Sequence, residues 1–446
     1  MFRGGELASM RQTGNTTQPT STSELSEALS RCRGAFVGVA AFTGLINVLM
    51  LTGPLFMLQI YDRVLPSRSM PTLVGLAILM AALYAVQGLF DAIRARVLQR
   101  IGLSFNNVLS GRVFDTIVRL PLKMRAGGDG LQPIRDLDQI RSFLGSGGPS
   151  AFFDLPWMPL YVFVCFLFHP LIGYAAIGGA FVIVGISFSA EYLTRGPSRV
   201  SARLAGPRNA ELDAGRRNAE AVAAMGMGGR LRGRWQATNA EYLDSQQRAA
   251  DRASGLGSLA RSLRMVVQSL VLGLGAYLVI HGQASAGVII ASSILVSRAL
   301  APIEFAVAHW KGLVATRLGW QRLNDLLAAL PEQAAPLELP KPQSTLSVEG
   351  ISAAPPGSTR LVVQDVAFTL EAGGALGIIG PSGSGKSSLA RLIIGAWQPA
   401  RGKVRLDGAA LEQWSPDQLG GHIGYLPQDV ELFDGSVSAN VSRFDV

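Results

Sequence analysis

Apolar and polar positions alternate in long blocks along this chain. Residues 34–60 run for 27 positions without Asp, Glu, Lys or Arg, and residues 70–90 add 21 more. A hydrocarbon core is crossed by about 20 apolar residues in a helix, so each run predicts a spanning helix. Pro149 to Phe168 and Leu171 to Ala190 form a second pair, broken only by His169-Pro170, which predicts a tight turn. Met265 to Ile280 and Ala286 to Ser297 form a third pair around His281-Gly282-Gln283, and the last span runs on past Pro302 toward Trp310. Six spanning helices are predicted. The polar stretches between them have helical periodicity, so spans two to five continue as helices beyond the apolar zone. Glycine- and proline-rich breaks such as Arg125 to Gly130 interrupt them, and short helices that touch a partner domain are expected at such breaks.

Charge orients the spans. Residues 91–148 carry nine Lys or Arg and residues 191–264 carry thirteen, whereas the three short turns hold only Arg63 and Arg68. Cytoplasmic loops are the basic ones, which predicts both long segments and both termini in the cytoplasm. The net charge of +9 follows from this asymmetry and is not read as a nucleic-acid footprint. Only 16% of residues are charged, against about 25% in ordinary soluble domains, and the mean hydropathy is +0.29. Cys32 and Cys165 form no C-x-x-C pair, so neither a disulfide framework nor a metal cluster is expected.

Outside the membrane region the composition changes. Residues 1–30 are rich in Ser, Thr and Gln and predict a disordered tail. The transmembrane domain is expected over 31–330. A linker with Pro331, Pro336, Pro340 and Pro342 covers 331–345 and is expected to be extended. From 346 to 446 the chain reads as α/β, with Leu361 to Leu370 as a strand.

The sharpest chemical signal lies in that last region. Gly380-Pro381-Ser382-Gly383-Ser384-Gly385-Lys386-Ser387-Ser388 satisfies every fixed position of the phosphate-loop pattern. A strand is expected at Ala375 to Ile379 and a helix from Leu389. Such a loop offers backbone N–H groups and a helix N-terminus to phosphates. Lys386 would reach the β- and γ-phosphates of ATP, and the Ser387 hydroxyl would ligate Mg²⁺. Gln428 comes 48 residues after Gly380, just past a predicted strand, where it would ligate Mg²⁺ or position the attacking water.

These motifs together resemble the ATP-binding cassette exporters, six-helix transmembrane domains fused to a cassette. Asp154-Leu155-Pro156-Trp157-Met158-Pro159-Leu160-Tyr161 followed by His169-Pro170 is similar to a block of type I secretion ATPases of the protease-exporter (PrtD-like) group. Asp136 to Arg141, Asn218-Ala219-Glu220 to Met227, and Gln428 to Asp434 fit the same group. Read without the resemblance, Pro156, Trp157 and Tyr161 are what a membrane interface shows. Met225 and Met227 read as packing residues, and Asp136, Asp138 and Arg141 as either a solvated helix face or a coupling contact.

The resemblance implies an ATP-driven exporter in a bacterial inner membrane, working as a homodimer. Its cargo would be an unfolded polypeptide with a C-terminal signal, handed to a membrane-fusion adaptor and an outer-membrane channel. Export of lipid, drug or peptide by the same architecture is the first alternative, and a non-catalytic membrane subunit the second. Two departures stand out. The stretch Ser352 to Gly357, where such cassettes place an aromatic residue against adenine, has none. The chain also stops at Val446, 18 residues past Gln428, before any Leu-Ser-Gly-Gly-Gln-like signature, Asp-Glu strand or switch His. The expectation is therefore a C-terminally truncated cassette that binds phosphates but hydrolyses ATP poorly on its own.

Overall fold

The computed structural model describes residues 23–123, 130–331, 339–428, 430 and 432–444. The expected N-terminal tail up to Thr22, the break at 125–129, most of the linker, and Asp429 and Glu431 lie outside the described residues. The chain divides into two compact units, residues 1–114 with 128–329, and residues 115–127 with 330–446.

The first unit is helical. A short helix, α1 (Glu24–Ser30), precedes α2 (Arg33–Leu49) and α3 (Thr52–Gln59), which is prolonged by a π-helical turn (Ile60–Val64) and α4 (Leu65–Ser67). Then come α5 (Met70–Lys123), of which residues 115–123 fall in the second unit, α6 (Gln132–Leu144), α7 (Gly147–Asp154), a 3₁₀ turn (Leu155–Trp157) and α8 (Met158–Phe168). The last four helices are α9 (Pro170–Arg217), α10 (Ala219–Ala224), α11 (Gly228–Ile280) and α12 (Ala286–Ala329).

Six of these helical stretches are long and apolar enough to cross a membrane. The six expected spans therefore each have a helix. The 54 residues of α5 rise roughly 80 Å at 1.5 Å each, far beyond a hydrocarbon core of about 30 Å. The turn at His169-Pro170 forms because Pro170 supplies a preset first helical position while the His169 ring nitrogen accepts the Leu171 amide at 3.2 Å. Pro302 lies inside α12 and does not end it. A short helix, α10, does sit at a break, between α9 and α11.

The core of this unit is formed by α8, α9, α11 and α12, with Tyr161, Cys165, Ile172, Ile183, Val271, Leu278, Leu295 and Leu300 packed together. A second cluster joins Cys32 and Val39 to Leu98 and Ile101. At the end carrying the short turns, the Asp62 carboxylate accepts the Gly287 amide at 2.7 Å and the Ser285 hydroxyl, which caps the start of α12.

The second unit holds an antiparallel sheet of β1 (Thr345–Ala353), β2 (Val363–Glu371), β3 (Arg401–Leu406) and β4 (Ala409–Ala410), in the order β2-β1-β3-β4. Val348 pairs with Phe368 on one side and Val404 on the other. Helix α13 (Lys386–Ile393) lays Leu392 on this sheet against Val348, Ile351, Val363 and Val404. Two short helices follow, α14 (Pro416–His422) and α15 (Val437–Val441).

The strand expected at Ala375 to Ile379 is not part of the sheet. That segment has no ladder partner among the described residues, and Ile379 is 95% exposed. A strand exists only where a neighbour takes its N–H and C=O groups, so the apolar run alone does not make one. The segment leading to Gln428 is likewise unpaired.

Candidate nucleotide-binding site

The phosphate loop is built from backbone conformations that its glycines permit. Gly383 and Gly385 have φ of 81° and 92°, in the left-handed region. A Cβ on Gly385 would lie 2.6 Å from the Val362 carbonyl oxygen, so only glycine lets the loop cross the start of β2. Beyond Gly385 the chain enters α13, whose first bond runs from the Leu389 amide to the Gly385 carbonyl at 2.9 Å. Because Leu392 is buried in the sheet core, the helix N-terminus is fixed to the sheet and the loop is fixed to the helix.

The Lys386 ammonium donates to the carbonyls of Gly380 and Pro381 at 2.8 and 2.7 Å, which holds it over the loop. Residues from Gly380 to Ser384 are exposed, as is Ser387. A glycine cradle too tight for a side chain, a free helix N-terminus and a lysine leaning over both fit a phosphate group. Gln428 sits in an exposed bend, and no hydrogen bond links it to the loop among the described residues. A cavity of about 540 Å³ under Trp397 and Trp414 contains no phosphate-loop residue.

The sheet edge near the linker carries an anchor that sequence reasoning missed. Asp407, with φ 50°, accepts the backbone amides of Gln343, Ser344 and Thr345 and the Ser344 hydroxyl. The Gln343 amide, followed by the Thr345 amide, pulls its carboxyl down to about 2.

In the membrane unit, the Asp154 block is part of a polar network. Asp154 accepts Asn47 Nδ2 at 2.8 Å and Arg94 Nη1 at 3.2 Å, and Arg94 also donates to Asp91 at 2.8 Å. Tyr161 donates to Asn47 Oδ1 at 2.8 Å. Trp157 lies over Gly44, where a Cβ would come within 2.6 Å of its ring. Tyr161 is thus buried in protein and is not an interface residue. The block ties α2, α5, α7 and α8 together through Asn47 and Arg94. Thr43 and Asn47, one helical turn apart in an otherwise apolar run, were the available sequence signal.

Asp136 is neither solvated nor free for coupling, because it is 4% exposed and paired with Arg322. Asp138 and Arg141 form a half-exposed pair at 3.0 Å. Met225 is 72% exposed, so it does not pack within its own unit, whereas Met227 is half-buried.

Six membrane-length helices followed by a phosphate loop seated on a sheet define an ATP-binding cassette exporter architecture. Residues 37–301 match the ABC transporter transmembrane region and residues 363–443 match the ABC transporter family model. The chain belongs to the ABC transporter family. It is 54% identical over 417 residues to the type I secretion system ATP-binding protein PrsD of Rhizobium meliloti (strain 1021), covering 94% of this chain and 72% of that protein. This places it among the type I secretion ATP-binding proteins of that family. It is also 27% identical to the toxin RTX-I translocation ATP-binding protein of Actinobacillus pleuropneumoniae and 26% identical to the leukotoxin translocation protein LktB of Bibersteinia trehalosi, covering 94% of this chain in each case. The chain spans about 60% of the length of those two relatives. The solved structure of a bacterial Atm1-family ABC exporter with ATP bound has a TM-score of 0.71 and 17% identity, covering 93% of this chain and 74% of that one, and shares the fold.

Proposed function

We propose that this chain is the ATP-driven membrane component of a type I secretion system and exports an unfolded polypeptide across a bacterial inner membrane. The observation that carries the reading is the 54% identity to PrsD, which runs through both the membrane unit and the nucleotide unit. ATP hydrolysis is the family's activity, and bound MgATP supplies the free energy of the transport cycle.

The chain's own residues have distinct tasks. The loop amides and the N-terminus of α13 bind phosphate oxygens. Lys386, held by the Gly380 and Pro381 carbonyls, would exchange these two neutral acceptors for the anionic β- and γ-phosphates. Ser387 would offer its hydroxyl to Mg²⁺, and Gln428 would either ligate the same ion or orient water. Two copies pair in this reading. Both termini and the Arg-rich helical extensions lie in the cytoplasm, and an adaptor and an outer-membrane channel receive the cargo.

The test is export by the full-length gene product of a polypeptide carrying a C-terminal signal. Lys386→Ala is expected to abolish export while leaving membrane insertion intact. A full-length protein that moves lipid and ignores polypeptide would overturn the reading.

A further inference from the structure

The membrane unit has a half-open cavity of about 740 Å³ whose wall includes Asp91, Arg94, Asp154 and Arg298. These two charges of each sign do not pair one to one. The Arg94 guanidinium takes both carboxylates, Asp91 at 2.8 Å and Asp154 at 3.2 Å. Arg298 is left over: among the described residues it has neither a hydrogen bond nor an ion pair.

Arg298 lies twelve residues into α12, roughly 18 Å from the helix start. Val296, Ala299, Leu300 and Ile303 are buried on the other side of the helix. Arg298 is exposed, and Ala301 and Phe305, on the same helical stripe, line the same cavity. An arginine in a spanning helix is costly, and such residues face water-filled space and mark substrate paths.

We propose that Arg298 is a specificity-determining contact for carboxylate side chains of the exported polypeptide, a reading that rests on the export function above. The guanidinium fork matches a carboxylate with two parallel N–H···O bonds. The wall offers both kinds of surface that a polypeptide carries. Leu98, Pro302 and Phe305 present apolar surface to side chains, and Gln99 and Ser150 line the cavity beside the ion pairs, where a backbone with one donor and one acceptor per residue finds partners.

The experiment uses the full-length transporter in lipid nanodiscs and two fluorescent 14-residue peptides free of Lys and Arg, one with four Glu and the other with Gln in their place. Wild type is expected to bind the Glu peptide about tenfold more tightly, the worth of one charge-assisted contact. Arg298→Gln removes that preference by weakening the Glu peptide alone, and Arg298→Lys retains most of it. Equal weakening of both peptides by Arg298→Gln, or a preference that survives it, overturns the proposal. So does loss of co-purified anionic phospholipid in Arg298→Gln with the peptide preference unchanged, which would make this a lipid site. Wild type that binds both peptides equally sinks the carboxylate contact and spares the export reading. Wild type that binds neither also sinks the carboxylate contact, whereas the export reading falls only if the signal-bearing polypeptide is not exported.

Discussion

Arg322 closes its guanidinium on Asp136, Nε to Oδ2 at 2.9 Å, across 186 positions of sequence. The pair fastens α12 to α6. Its two ends differ in environment: the Asp136 side chain is 5% exposed and that of Arg322 is 52%. Removing the arginine therefore strands a buried carboxylate with one remaining donor, Gln132 Nε2 at 2.9 Å. Arg322→Gln is expected to cost about 1–3 kcal/mol, below the 3–5 of a pair buried at both ends because one end is wet. Asp136→Asn with Arg322→Gln should recover more than half of that in thermal unfolding in detergent. No recovery in the double variant would contradict the assignment.

Asn47 is the hub of the membrane network, donating to Asp154 and to the Thr43 carbonyl and accepting from Tyr161. Tyr161→Phe removes one buried hydrogen bond and should lower stability by about 1–2 kcal/mol. Asn47→Ala takes all three and should cost more than Tyr161→Phe. The reverse ranking in chemical or thermal unfolding would show that the network does not centre on Asn47.

Gly385→Ala tests the loop geometry without touching any charged group. The added methyl meets the Val362 carbonyl at a backbone angle that L-residues avoid, a local cost of about 1–3 kcal/mol. Binding of a fluorescent ATP analogue to the full-length protein should fall at least about tenfold, with helical circular dichroism unchanged. Undiminished binding would show that the loop tolerates a side chain there.

Asp407 sets a pH dependence at the linker end of the sheet. Its folded pKa, about 2, is depressed below the ordinary value of 3.8. The contribution is therefore fully present above about pH 4 and is lost as pH falls toward 2. Hydrogen exchange at the Gln343, Ser344 and Thr345 amides should be protected down to that window and released below it. Asp407→Asn should release the same amides at neutral pH, and protection that persists in this variant would contradict the role.

Much of this architecture was legible in sequence because the signals are local. The six spans follow from runs such as 34–60 and 70–90, and the phosphate loop follows from glycine spacing, since one segment holds every residue it needs. What was not legible depends on partners far away in the chain. Nothing near Asp136 announces Arg322, and nothing near Asp154 announces Arg94. The Ala375 to Ile379 segment failed for the same reason: its composition suits a strand, but strand status depends on neighbouring backbone that the segment does not carry. Asp407 was missed because its role arises from an unusual backbone angle, which no local pattern marks.

The Asp62 carboxylate on the Gly287 amide and the Ser285 hydroxyl makes a hasp between the first hairpin and the last span. It joins the beginning of the membrane unit to its end, beside Leu58 of α3, which packs against the core cluster that holds Leu295 and Val296 of α12. Apolar packing has no preferred direction, whereas a carboxylate that takes one amide and one hydroxyl does. Asp62 therefore adds a fixed register to a contact that packing alone would leave free to slide.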